Sequence, residues 1–488
     1  MMNFALLRGF VLFALGPAIA AAGSCESLTS LSLPNATITS AGAGRASDLP
    51  AFCRVALTIK PSSDSDIQVE VWLPSSGWNQ KYEAVGNGGW AGSINYAAMS
   101  EALLQGYATS STDTGHSGAG GNFAFHHPEK VIDYAYRSEH EMVLKAKAII
   151  QAFYGNAPRL SYWNGCSSGG KQALNEAQRY PGDFDGIIAG APAVNWTGRS
   201  VQSMWIAQAV HKDEASYIPP AKYPVIHKGV LEACDALDGV KDGVLEDPRL
   251  CKFDPKAVEC KGGDASSCLS TPQVEAARKI YTPVVNPRTR RLIFPAQERG
   301  SEMGWQNLAG PQPFGIGNDY FKYVVFEDPN WDYKTLNFDS DVARAEKVDN
   351  GTINALNPNL QPYFQHGGKL LQYHGWGDQQ ISPGSSVLYY NSVLEALGGA
   401  SKVNGSYRLF MVPGMGHCRG GDGTDTFDAM KALEQWVEQG KAPEKIIASR
   451  LRNGAVDRTR PLCPYPQVAS YKGSGSTDEA ANFVCKVP

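Results

Sequence analysis

No run of basic residues, no internal repeat and no low-complexity tract occurs in this 488-residue chain, whose formal net charge is -4. Nucleic acid and anionic membrane surfaces both call for clustered lysine and arginine, so these absences argue against either as a partner. Long apolar runs are equally scarce. The one near the start, Gly9 to Ala18, is too short for a permanent membrane anchor. It follows the positive Arg8 and precedes Ala18-Ile19-Ala20 and Ala20-Ala21-Ala22, small-residue sites suited to cleavage. Residues 1–22 are therefore expected to be a signal peptide, and the mature protein to be secreted, to the extracellular space or the periplasm. An odd cysteine is also lacking: the ten form an even set, as in an oxidising compartment.

What is present supports a large enzyme. Hydrophobic residues make up 43% of the chain, enough for a sizeable core, while 51 glycines and 30 prolines imply extensive loops. The most informative stretch is Tyr162-Trp163-Asn164-Gly165-Cys166-Ser167-Ser168-Gly169-Gly170-Lys171. It contains Gly165-x-Ser167-x-Gly169, the pattern of a nucleophile elbow, in which a sharp strand-to-helix turn lifts a serine oxygen clear of a sheet. Leu160 to Trp163 reads as the strand and Lys171 to Tyr180 as the helix.

A serine hydroxyl needs an imidazole to take its proton and a buried carboxylate to orient that imidazole. In an α/β-hydrolase the chain order is serine, acid, histidine. Lys369 to Tyr373 reads as a strand that runs into His374-Gly375-Trp376-Gly377-Asp378. Tyr407 to Val412 reads as another that opens into Pro413-Gly414-Met415-Gly416-His417-Cys418. Ser167, Asp378 and His417 are thus the expected triad. His374 is a competing base, but it precedes Asp378 and would reverse the order. Asp183 and Asp185 follow the serine helix too closely and read as turn and cap residues.

If the triad holds, Cys166 and Cys418 are neighbours in space, and a disulfide between them would tie the serine loop to the histidine loop. The oxyanion donors are expected to be the N–H of Ser168 and one from Gly88 or Gly89, in the glycine-rich loop Val85 to Gly92. Ser111-Thr112-Asp113-Thr114-Gly115-His116 reads as a buttress to the site.

Ser167 and Asp378 lie 211 positions apart, far more than the few βα units that should separate them. Residues 197–365 therefore read as a lid inserted into a catalytic domain formed by 23–196 and 366–488. Its aromatics, among them Trp205, Trp305, Trp331, Tyr320, Phe321, Tyr323 and Phe326, are candidates to stack on an aromatic substrate or to form the lid's own core. Within it, Asp235, Asp238 and Asp242 are broken by Gly239 and Gly243, hard oxygen ligands on a tight loop that suit calcium but depart from the EF-hand. Cys234 and Cys251 flank this loop, and Cys260 and Cys268 could close a neighbouring one.

Together these residues resemble the tannase and feruloyl esterase family of secreted α/β-hydrolases. The resemblance rests on Gly165 to Gly170, Gly375-Trp376-Gly377-Asp378, Gly414 to Cys418, Asp113 to His116 and the Cys234 to Val244 loop, and covers nearly the whole mature chain. It implies Ser167, Asp378 and His417 as triad, a Cys166–Cys418 disulfide, and a structural calcium held by Asp235, Asp238 and Asp242 side chains with the carbonyls of Val240 and Val244. It also implies the pairs Cys25–Cys53, Cys234–Cys251, Cys260–Cys268 and Cys463–Cys485. Lys171 stands where the family often carries arginine. The expected substrate is a small aromatic ester or an ester-decorated plant polymer, feruloyl or another hydroxycinnamoyl ester first, with galloyl esters and terephthalate monoesters as alternatives. A calcium-dependent binding protein with a degenerate site, and a peptidase of the same fold, are the readings from other classes.

Overall fold

The computed structural model describes residues 24–44, 47–90 and 92–488, so the expected signal peptide at 1–22 lies outside the described residues. Nine strands of the described residues form one sheet: β1 (Ala36–Ala43), β2 (Phe52–Ile59), β3 (Ile67–Pro74), β4 (Lys81–Val85), β5 (Ala108–Thr112), β6 (Leu160–Cys166), β7 (Gly186–Gly190), β10 (Lys369–Gly375) and β11 (Tyr407–Val412). β8 (Val284–Val285) and β9 (Leu292–Phe294) pair separately. The sheet order is β1-β2-β3-β5-β4-β6-β7-β10-β11. β1, β2, β3 and β5 pair antiparallel, and from β5 to β11 every pairing is parallel. This is the α/β-hydrolase arrangement.

Parallel strands covered on both faces must be apolar throughout, and β7, Gly186-Ile187-Ile188-Ala189-Gly190, is buried at every position. One face is covered by the helix Ser138–Tyr154, whose Met142, Ala146, Ile149 and Phe153 recur at helical spacing and join the sheet core. Gly155 ends that helix in the left-handed conformation, φ 77°.

Between β7 and β10 the chain leaves the sheet. The helices Trp196–Val210, Tyr223–Cys234 and Thr271–Ile280 lie in this stretch. Ile206, Val210, Ile226, Val230, Val274 and Trp305 belong to a hydrophobic cluster drawn entirely from it. A second cluster joins it to the sheet side, bringing Tyr320 and Phe321 against Trp90, Tyr134 and Ile381. Trp305, Tyr320 and Phe321 are fully enclosed, and Phe326 and Trp331 stack with ring centroids 5.1 Å apart. These aromatics are packing residues.

After β11, β12 (Ile446–Arg452) pairs with β13 (Ala455–Leu462), and β14 (Val468–Tyr471) with β15 (Phe483–Lys486), as two hairpins outside the main sheet. Disulfides join Cys25 to Cys53, Cys166 to Cys418, Cys234 to Cys251, Cys260 to Cys268 and Cys463 to Cys485. Among the described residues no helix is long and apolar enough to cross a membrane.

Candidate active site

β6 delivers Ser167 to the middle of the sheet's carboxyl edge, where the helix Ser168–Arg179 begins. Ser167 has φ 65° and ψ -121°, a conformation costly for a side-chain-bearing residue and held here by its surroundings. Its N–H donates to Gly190 O and its carbonyl accepts from Ala193 N. The turn closes so tightly that a Cβ on Gly165 would stand 2.5 Å from Gly169 O, and one on Gly169 3.1 Å from Asn87 O. The strand extends to Cys166 and the helix starts at Ser168, both nearer the serine than the sequence pattern indicates.

Asp378 and His417 come from the loops after β10 and β11, the next strands but one and but two from β6. His417 Nε2 lies 2.9 Å from Ser167 Oγ, and its Nδ1 lies 2.7 Å from Asp378 Oδ2. Asp378 is fully buried, and its Oδ1 accepts the backbone N–H groups of Gln380 and Ile381 at 2.7 and 2.9 Å. Burial alone would raise this carboxyl. Charge and hydrogen bonds from His417 and His374 outweigh burial and hold it well below the usual carboxylate range. His417 N donates to Gln379 Oε1 at 3.2 Å, which fixes the histidine loop.

His374, the competing base, is enclosed behind the acid. Its Nε2 lies 3.0 Å from Asp378 Oδ2 and 3.2 Å from Ile381 O, while Nδ1 lies 2.7 Å from Ser386 Oγ. With acceptors facing Nε2, that nitrogen carries a proton and donates to Asp378. Asp378 thus receives two imidazoles. Nothing local in the sequence marks this; it follows from the turn that folds His374 back onto Asp378.

The loop Gly86 to Trp90 lies against the start of the serine helix. Asn87 O accepts Gly169 N at 2.7 Å, and Asn87 N donates to Gln172 Oε1 at 3.0 Å. Gly89, at φ 57°, offers its carbonyl to both Ser168 Oγ (2.8 Å) and Tyr134 OH (2.7 Å). A Cβ on Gly88 would meet nothing within 4 Å. Asp113 Oδ1 accepts the N–H groups of Gln68 and Gly115, and His116 Nε2 bonds Trp90 O at 2.6 Å, so the stretch after β5 braces the glycine loop. Burial pushes the Asp113 carboxyl up to about 7.

Asp183 and Asp185 lie away from the serine: Asp183 pairs with His140, and Asp185 accepts Ser161 N. Cys166 and Cys418, 252 residues apart, are bonded directly beside the serine and the histidine.

The acidic loop lies beyond the histidine loop. Asp238, Val240, Asp242, Val244 and Glu246 line a cavity of about 20 Å³ together with Pro413, Thr424, Arg458 and Arg460. That volume holds one water-sized ion. The Asp235 carboxylate instead accepts the N–H groups of Asp242 and Gly243 and closes the loop. Arg458 Nη1 donates to Asp242 O at 3.0 Å, and Arg460 pairs with the Asp242 carboxylate. Four carboxylates against two guanidiniums leave negative charge in excess. Loss of water pushes the Glu246 carboxyl up to about 8, with Asp238 adding to the effect. The donor set is all oxygen and the charge is uncompensated, so these residues fit a hard divalent cation. Glu246 and the two arginines carry no sequence signal for this position, because β13 and the acidic loop meet only in three dimensions.

The sequence profile described as "Tannase and feruloyl esterase" matches residues 53–486. An uncharacterized esterase of Xanthomonas campestris is 39% identical, across 95% of this chain and 91% of its own length. A probable feruloyl esterase B-2 of Aspergillus terreus is 37% identical, across 88% and 85%. The crystal structure of feruloyl esterase B from Aspergillus oryzae superposes with a TM-score of 0.89 at 32% identity, across 95% of this chain and 99% of that one.

Proposed function

Since this chain belongs to the tannase and feruloyl esterase family and is a carboxylic ester hydrolase, we propose that it releases hydroxycinnamic acids, ferulic acid first, from their esters through Ser167, His417 and Asp378. The observation that carries this reading is the unbroken chain of contacts from Ser167 Oγ through His417 to Asp378 Oδ2, at 2.9 and 2.7 Å. The preference for a feruloyl group is supported by the relatives whose names carry it.

In this mechanism His417 Nε2 takes the proton of Ser167 as Oγ attacks the ester carbonyl. The negative charge on the carbonyl oxygen is held by the N–H of Ser168 and that of Gly88 or Gly89, each donor contributing about 3 kcal/mol to the transition state. His417 then gives its proton to the departing alkoxide, leaving an acyl-serine. Water, deprotonated by His417, attacks that acyl group; the proton returns to Ser167 and the aromatic acid leaves. Asp378 stays ionised throughout, and His374 holds its carboxylate in place.

The same proposal assigns residues 197–365 as a lid over the serine, and the signal peptide and disulfides to a secreted enzyme. Calcium would be held by Asp238 and Asp242 with the Val240 and Val244 carbonyls, and Asp235 would order the loop or join them. When bound, the ion would supply fixed positive charge that joins the acidic loop to the histidine loop and the carboxyl-terminal hairpins.

The test is hydrolysis of methyl ferulate, methyl gallate and nitrophenyl acetate by the mature protein beside Ser167→Ala. The expected result is turnover of methyl ferulate in preference to methyl gallate, lost by a factor on the order of 10⁶ in the mutant. Preference for the gallate would replace the acyl assignment, and serine-independent turnover would refute the nucleophile.

A further inference from the structure

Arg199 lies in the first turn of the helix Trp196–Val210 and is 3% exposed. Neither its Nε nor its Nη1 has a hydrogen-bond partner among the described residues, and the Trp196 Nε1 three positions earlier is also enclosed and unpartnered. A guanidinium taken out of water without compensation is costly, and proteins rarely keep one without a use for it. Burial holds its pKa down to about 10, and the carboxylate whose charge supports it is that of Asp378.

A chain of aromatic contacts links Arg199 to the glycine loop that packs on the start of the serine helix. The Arg199 guanidinium lies 4.7 Å from the Phe314 ring centroid and 5.7 Å from that of Trp196. Trp196 meets Trp90 edge-on at 4.7 Å, and Trp90 ends the glycine loop that faces the serine. A Cβ on Gly89 would touch Ile316, two residues after Phe314, at 3.1 Å. Ala193, at the approach to the helix, donates to Ser167 O. Unsatisfied N–H donors flanked by aromatic rings suit a flat ring carrying an acceptor oxygen better than a sugar, whose many hydroxyls would need many partners.

We propose that Arg199, with Trp196 Nε1, is a specificity-determining subsite that binds an acceptor oxygen borne by the ring of the aromatic acid, as a phenolic or a carboxylate group. The assignment rests on the reading of Ser167 as the nucleophile of an aromatic ester hydrolase, and extends it to the far end of the acyl group.

The experiment compares kcat/KM for methyl cinnamate, methyl 4-hydroxycinnamate and monomethyl terephthalate in the wild type, Arg199→Lys and Arg199→Leu. The wild type is expected to favour at least one oxygen-bearing ester by about 10- to 100-fold, the usual worth of hydrogen bonds to a charged group. Arg199→Leu should bring that ratio within about threefold of unity, and Arg199→Lys should keep part of it as a point charge without the fork. Whichever ester shows the larger ratio tells phenol from carboxylate. Melting curves guard against a folding artefact: because the guanidinium is unpartnered, Arg199→Leu should melt no lower than the wild type. A ratio unchanged in Arg199→Leu, or a lower melting point with the ratio intact, would make Arg199 a packing residue and overturn the proposal. A second arm separates this subsite from the esterase reading: calorimetric binding of free 4-hydroxycinnamate, terephthalate and cinnamate to Ser167→Ala. Tighter binding of an oxygen-bearing acid, abolished by adding Arg199→Leu, upholds the subsite even if no ester is turned over; equal binding of all three acids refutes it.

Discussion

Two regions built around buried acids border the histidine loop, and they treat negative charge in opposite ways. Around Asp378 a single buried carboxylate is surrounded by two imidazoles and two backbone N–H groups, and its carboxyl is held well below its usual range. Around the 235–246 loop four carboxylates meet two arginines, and the Glu246 carboxyl is pushed up to about 8. Where the protein itself supplies the compensating groups, the charge serves to orient a neighbour. Where it does not, the excess calls for a partner from outside. The first region is compensated by its own fold; the second would take the calcium proposed above.

The sharpest way to break this contrast is to neutralise each region in turn. Asp378→Asn should lower kcat by about 10⁴-fold, because the amide no longer orients His417 with its proton on Nδ1. Asp238→Asn should leave kcat of the folded enzyme within about threefold and remove the stability gained from added calcium, because its carboxylate sits in the loop and not at the serine. Steady-state kinetics beside calcium-dependent melting curves would tell them apart, and equal losses of activity would erase the distinction.

Next in size is the covalent tie between the serine and histidine loops. Replacing Cys166 and Cys418 together by serine should lower stability by about 5 kcal/mol on the chain-entropy view of so long a loop. Denaturant midpoints measure this, and kcat should fall further than for removal of Cys260 and Cys268, which close only a short loop and adjoin neither Ser167 nor His417 in the chain.

Removal of divalent cations by a chelator should lower stability by about 3 kcal/mol relative to calcium at a hundredfold excess over its dissociation constant. A melting temperature that ignores both chelator and calcium would remove the second region from the argument.

The smallest effect concerns an ion-pair latch at His227. His227, in the helix Tyr223–Cys234, contacts Glu302 at 2.7 Å and Asp422, five residues beyond His417, at 3.3 Å. Burial works against protonation, but Asp422 and Glu302 outweigh it and push this imidazole up to about 10. A raised folded pKa means that its stabilisation is fully present below the unfolded value of about 6.5 and fades as pH rises toward the folded one. His227→Gln should therefore cost about 2 kcal/mol near pH 6 and progressively less toward pH 10. A gap between wild type and mutant that does not narrow with pH would refute the charged latch.

The parts of the site legible in the sequence are those governed by short-range geometry. Gly165 and Gly169 flank Ser167 because the backbone passes within contact distance of itself, and such a turn leaves a pattern a few residues long. Asp378 and His417 are legible because each follows an apolar strand in a glycine-rich loop. The sheet was readable from β6, β10 and β11, and less so at its β1 edge; β1, like the hairpins outside the sheet, lacks a clean alternation. The aromatics of residues 197–365 illustrate the limit. Their type suits substrate stacking and core packing equally, and for Tyr320 and Phe321 only their burial at the seam with Trp90 and Tyr134 decides for packing. Tyr134 on Gly89 and Arg460 on Asp242 had no signature at all, since each joins elements whose meeting depends on the whole chain, and His374 on Asp378 depends on a turn whose path the sequence leaves open.

By itself, then, the sequence determined the class of chemistry, the order of the three residues in line for it and the oxidising setting of ten paired cysteines, because these depend on local backbone constraint and residue type. The tertiary structure decided which histidine faces the serine and which supports the acid, how the carboxyl-terminal hairpins reach the acidic loop, and that Arg199 stands buried with its Nε and Nη1 unpartnered among the described residues. Apart from the local turn that sets His374 on Asp378, those outcomes depend on contacts between residues tens to hundreds of positions apart, whose energies exist only once the sheet has brought them together.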